Sequence, residues 1–159
     1  MWTGNHDYPP TRIVCDMDRR WRRPNRQYLR LFFLDEATAF AAGFRPCNQC
    51  RRDAKNAFFT AWATAVGEAP DRVRVVDERL GRERGSRPST APGDLPAGTM
   101  IDIDGTPLLV AGDGIRRWSL DGYGPLRAHP PRAALITPRS TVAVLAAGYP
   151  IGIHPSGSS

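Results

Sequence analysis

The residues of this chain best suited to chemistry are its three cysteines, Cys15, Cys47 and Cys50. Cys47-Asn48-Gln49-Cys50 is a Cys-x-x-Cys pair, a spacing that lets two thiolates share one metal ion. It falls where the pattern predicts the start of a helix, and helix-end N–H groups and the adjacent Arg51 and Arg52 favour the thiolate form. Two sulfurs do not complete a tetrahedral zinc site. Cys15, 32 residues upstream of Cys47, is available as a third. For the fourth position the candidates are His6, Asp16 and Asp18, and a water is the alternative. The competing readings of the motif are two free thiols or a redox pair. Three cysteines are too few for a disulfide-stapled module.

Other reactive groups are sparse. His6, His129 and His154 are the only histidines. Together with Asp7, Asp16 and Asp18 they could form a hydrolytic metal site. Asp16 and Asp18 fall on one side of an extended strand, because side chains alternate there. The simpler reading is that these carboxylates neutralise the neighbouring arginines. There is no serine nucleophile elbow and no phosphate-binding glycine loop. Trp118 and Tyr123 suit either a base-stacking surface or the core, the commoner fate of such residues.

Charge gives the clearest hint of a partner. The 22 basic residues are all arginine except Lys55, and the net charge is +6. Residues 1–74 carry +5 of it. The densest run, Arg19 to Arg30, interleaves six arginines with Trp21 and Tyr28. Arginine's planar fork suits phosphate oxygens, and the aromatics suit base stacking. The expected phosphate contacts are Arg19, Arg20, Arg22, Arg23, Arg26, Arg45, Arg51 and Arg52, and the expected partner is DNA. The bland alternative is a solvated arginine-rich loop. The N-terminus lacks the apolar core of a signal peptide, and the longest apolar run, Val142 to Ala147, is too short to span a bilayer. The expectation is a soluble, cytoplasmic protein with no membrane partner.

These groups need a scaffold. Ile13–Cys15 and Tyr28–Leu34 read as strands. Asp35 reads as the N-cap of a helix over 36–42, with Gly43 as its C-terminal glycine. A longer helix is predicted from Cys47 or Asn48 to about Val66, its apolar face carrying Ala54, Phe58, Trp62 and Ala65. Residues 81–98, rich in Gly, Pro, Ser and Arg, read as a linker or flexible loop. Beyond it the texture is β. Asp104-Gly105 predicts a hairpin between 99–103 and 106–111, and Gly112 to Gly114 turns into a third strand at 115–119. Residues 121–125 read as a turn and 134–137 as a short strand. Ser140 is expected to cap a last helix over 141–147, followed by a frayed tail. The fold class is α+β: a metal-site, DNA-binding region over 1–80, the 81–98 linker, and a β-rich region over 99–159 with a terminal helix. The two halves are expected to pack together, since neither is large enough to be comfortable alone.

The stretch Phe32-Phe33-Leu34-Asp35-Glu36 through Ala41-Ala42-Gly43-Phe44-Arg45-Pro46-Cys47 to Cys50 resembles the second half of the N-terminal zinc-binding domain of the Ada family. The resemblance covers residues 13–52. It implies that Cys47 and Cys50 bind zinc, that Arg45 is a DNA-backbone contact, and that a zinc-bound thiolate accepts a methyl group from a DNA methyl phosphotriester. The family has two upstream cysteines separated by three residues. Here Cys15 is near their place, and Arg19 stands at the partner position. Another residue then completes the metal set, or the fold is kept without metal. Cys15 is the one candidate methyl acceptor outside the helix-start pair. The expected function is DNA binding, with damaged or modified DNA read by the β-rich half. The alternatives are a DNA-acting enzyme (an alkyl-accepting repair protein, a glycosylase or a nuclease) and a metal-free structural or interaction protein.

Overall fold

A computed structural model describes residues 13–16, 31–48, 51–67, 70 and 73–158. The fold is α+β, with two antiparallel sheets and four α-helices among these residues. The N-terminal lead-in, Tyr28–Arg30 and the arginines at 19–26 lie outside them.

The smaller sheet has the order β2-β1-β3, from β1 (Ile13–Asp16), β2 (Leu31–Phe33) and β3 (Arg45–Pro46). Between β2 and β3 runs α1 (Glu36–Ala41). Asp35 caps it as expected, accepting from the Thr38 N–H at 2.9 Å and the Thr38 hydroxyl at 2.7 Å. Gly43, at φ +79°, ends it in the left-handed conformation that suits glycine. A side chain there would also strike Arg84, whose Nε lies 2.7 Å from the position of an added Cβ.

Helix α2 spans Arg52–Val66 and closes on Gly67 in the left-handed region. It begins several residues later than its periodicity suggests, because β3 and a turn occupy 45–48. Next comes α3 (Val73–Glu83), an element absent from the sequence reading. Its buried Val76 and Leu80 are one helical turn apart. It carries the i,i+4 pairs Arg74–Glu78, exposed, and Arg79–Glu83, half-buried.

The larger sheet has the order β4-β9-β5-β6-β7-β8. Its strands are β4 (Ser89–Thr90), β5 (Met100–Ile103), β6 (Thr106–Ala111), β7 (Gly114–Ser119), β8 (Gly122–Arg127) and β9 (Ala133–Leu135). The Asp104-Gly105 hairpin is as expected: both residues have positive φ, 51° and 78°, the signature of a type I′ turn. Residues 121–125 differ from the expected turn, since only Leu120 and Asp121 turn and Gly122 onward pairs with β7. Pro125 is tolerated there because β8 is an edge strand. The stretch 81–98 also differs from a linker: it begins inside α3, and Ser89-Thr90 pair with β9 as the opposite edge.

Helix α4 spans Arg139–Ala146. Ser140 is not its N-cap. Instead the Glu83 carboxylate, from the end of α3, accepts from the Ser140 N–H at 2.8 Å and the Ser140 hydroxyl at 2.6 Å. An anion from another helix thus serves the N-terminal end of α4. The expected frayed tail, 157–159, differs at Gly157, which is packed. Pro155–Gly157 form a 3-10 turn, the Ser156 hydroxyl accepts from the Tyr123 N–H at 2.9 Å, and Gly157 is buried.

Two apolar cores, one helical and one between the large sheet and α1, hold the halves together, and another lies within the large-sheet half. Phe40, Phe58, Trp62, Val76 and Leu80 meet Val144, Leu145 and Tyr149 in a helical core. One face of the large sheet buries Ile101, Leu108, Val110, Ile115 and Leu135. Its other face buries Met100, Leu109 and Tyr123 against Ala37 of α1. Burial of apolar side chains of this size contributes about 1.5–3 kcal/mol each, so residues on both sides of 81–98 depend on one another. No helix among the described residues is long and apolar enough to cross a membrane.

Candidate metal centre

Backbone pairing sets Cys15 beside Pro46, the residue before Cys47. β1 runs antiparallel to β3 with Cys15 opposite Pro46 and Asp16 opposite Arg45. Directly opposed Cα atoms in such a ladder are about 4.5–5.5 Å apart. The partner of Cys15 is therefore the residue next to Cys47. The Arg51 N–H then bonds the Cys47 carbonyl at 3.1 Å, a link across the Cys-x-x-Cys spacing. Cys47 is 8% exposed, inside the fold. Thiolates are the donors zinc prefers in structural sites. The backbone thus brings the Cys15 and Cys47 positions to the same end of the small sheet. Among the described residues no group of three His, Cys, Asp or Glu side chains is gathered for a metal. Cys50, His6 and Asp18 lie outside the described residues, as does the Cys15 side chain.

The support beneath this centre is ionic. Arg45, expected at a DNA phosphate, is instead 1% exposed. Its Nε and Nη2 donate to the two carboxylate oxygens of Asp77 on α3, at 2.7 and 3.1 Å, and its Nη1 donates to the Pro46 carbonyl at 2.9 Å. A buried fork so occupied fixes β3, the strand that leads into Cys47. Arg51 is 27% exposed and ion-pairs with Glu36. Arg52 is exposed. Arg19, Arg20, Arg22, Arg23 and Arg26 lie outside the described residues.

Asp35 and Glu36 carry more than a helix cap. Asp35 Oδ2 accepts from the Tyr123 hydroxyl at 2.8 Å and the His154 N–H at 3.1 Å. Glu36 accepts from the Tyr149 hydroxyl at 2.8 Å, the Gly152 N–H at 2.7 Å, and Arg51. Both carboxylates are buried, and these donors satisfy them. Adjacent acids at an apolar helix start were the available signal; their distant partners carry none. Burial raises the Tyr123 pKa, and the negative charge of Asp35 raises it further. Tyr123 is therefore a core residue, not a base-stacking platform, and Trp118 packs beside that same core.

The described histidines serve local structure. His154 caps the 3-10 turn, its Nδ1 2.8 Å from the Ser156 hydroxyl, and His129 Nε2 lies 3.4 Å from the Gly112 carbonyl.

Residues 9–53 match the family model described as the metal binding domain of Ada. The match covers less than a third of the chain, and it contains Cys15, Cys47 and Cys50. Zinc is the metal this match implies. No curated protein and no solved structure matches the chain.

Proposed function

We propose that this chain is a DNA-binding protein built on a zinc module. Cys15, Cys47 and Cys50 supply three ligands, and His6 or Asp18 supplies the fourth. Zinc locks the start of α2 to the small sheet and sets the arginine-rich segment beside it. Arg19, Arg20, Arg22, Arg23, Arg26 and Arg52 then meet phosphates. Arg51 lies between the two tasks, tied to Glu36 and still partly exposed. Cys47, at 8% exposure, suits a ligand held inside the fold better than an acceptor that must reach a DNA methyl group. Cys15 stays the candidate for any alkyl transfer, and recognition of damaged or modified DNA belongs to the same reading.

The single observation that carries the reading is the register of Cys15 opposite Pro46, inside the segment that matches the Ada metal binding domain. The test joins two measurements on the full chain. Elemental analysis should find about one zinc per chain. Binding to plain and methylated DNA should weaken with salt, with a log–log slope near −0.9 per phosphate contact. Absence of zinc, or salt-insensitive binding, would refute it. Incubation with methyl phosphotriester DNA followed by mass spectrometry decides the transfer step: a gain of one methyl on a cysteine peptide is required.

A further inference from the structure

Residues 75–159 carry a net charge of only +1, yet five of their seven exposed arginines are gathered. Arg82, Arg84 and Arg87 are exposed on the last turn of α3 and the segment after it. Arg132 and Arg139 are exposed on either side of β9. β4, paired only with β9, is the outermost strand of the large sheet. Two clefts flank it. Arg82 and Arg139 line one, and Arg87 and Arg132 line the other.

The charges here are not spent. Arg45, Arg51, Arg74 and Arg79 each ion-pair with a carboxylate. Among the described residues Arg82, Arg87, Arg132 and Arg139 have no ion pair; Arg132 donates to the Ser89 hydroxyl at 3.2 Å. Glu83 borders the first cleft, but its two oxygens face Ser140 and Arg79. Asp102 and Asp104 border the second cleft from β5 and its hairpin, further in from the edge. A run of free positive charge therefore lies along the β4 rim, apart from Arg117 and Arg127 near the opposite edge.

That rim adjoins the cysteine motif. The Arg84 guanidinium lies 4.8 Å from the centre of the Phe44 ring and donates to the Gly43 carbonyl at 3.2 Å. Gly43 and Phe44 lead through β3 to Cys47.

We propose that the β4 rim is a second nucleic-acid contact, a phosphate track continuing from the cysteine motif. This rests on the DNA-binding reading above. The arginines are spread around an edge rather than converging on one point, which fits a polyanion with about one charge per 1.7 Å of duplex better than a small anion. Arginine forks position a phosphate backbone without reading sequence. The contact is sequence-independent.

The test uses the full zinc-loaded chain and a fluorescently labelled plain DNA duplex, titrated at several salt concentrations. The variants are R82A/R139A, R87A/R132A and all four together. Arg117→Ala with Arg127→Ala, exposed on β7 and β8 at the far edge of the sheet, is the control. Each phosphate contact removed should flatten the log–log salt slope by about 0.9 and weaken binding roughly five- to tenfold near 0.1 M salt. Zinc content and thermal unfolding should stay as in the parent, and the control should bind normally. If the parent binds and the four-arginine variant keeps its affinity and slope, this inference falls while the DNA-binding reading stands. If the parent binds no DNA, both fall.

Discussion

Arg45 and Asp77, 32 residues apart, meet as a two-point ion pair inside the fold, with Nε–Oδ1 2.7 Å and Nη2–Oδ2 3.1 Å. One partner stands on the strand leading into Cys47, the other on α3. Breaking such a pair leaves a charge buried alone, which costs about 3–5 kcal/mol. Asp77 is 15% exposed on its side chain, so Asp77→Asn is expected near the lower end. Urea unfolding should show it, and zinc should be released at a lower chelator concentration. A variant as stable as the parent would mean that Arg45 finds another anion.

The cysteine pairing makes its own prediction. Cys15→Ser should lower bound zinc below one per chain, or weaken it strongly, as Cys47→Ser should. Metal ligation supplies folding free energy where it closes a site. Because the large sheet has its own buried face, its circular dichroism signal should survive zinc removal. Elemental analysis of both variants checks the first claim; full zinc in Cys15→Ser would remove Cys15 from the ligand set.

Tyr123 predicts an alkaline effect. The folded state raises its pKa, chiefly through burial and then through Asp35. A folded state that holds the proton more tightly is fully stabilised below the unfolded pKa of about 10, and loses that stability as pH rises above it. The parent should become less stable from about pH 10 upward. Tyr123→Phe should show a shallower alkaline loss and cost about 1–2 kcal/mol at neutral pH for the missing bond to Asp35. Unfolding free energies of the two proteins across pH 8–11, taken as roughly spanning that pKa, decide it; equal alkaline slopes would contradict the assignment.

Glu36→Gln should be costly although nearly isosteric. One amide face donates where Glu36 only accepts, from Tyr149, Gly152 and Arg51. A buried charge-assisted set disrupted this way costs on the order of 3 kcal/mol. Thermal unfolding gives the measure, and a loss below about 1 kcal/mol would show that the network repacks.

Local chemistry was legible in the sequence. Asp35, Gly43 and Asp104-Gly105 each demand a particular backbone geometry and sit where that geometry occurs. Long-range partners were not. Helix α3 has a faint sequence signal, because only Val76 and Leu80 mark its buried side among charged residues. β8 was hidden by Gly122, Gly124 and Pro125, which signal a turn unless the strand is an edge. Arg45 looked like a phosphate contact because nothing near it in sequence announces Asp77. The Cys-x-x-Cys was plain at once, whereas the nearness of Cys15 to it is a matter of strand register.

The acids that open α1 impose an order on folding. Asp35 and Glu36 draw donors from Tyr123, Tyr149, Gly152 and His154, at sequence separations of 88 to 119 residues. While the polypeptide is leaving the ribosome, the helix beside the cysteine motif must wait with two carboxylates still in water. It can settle only after residues 149–154 emerge, so the earliest-made part of the motif is among the last to become rigid.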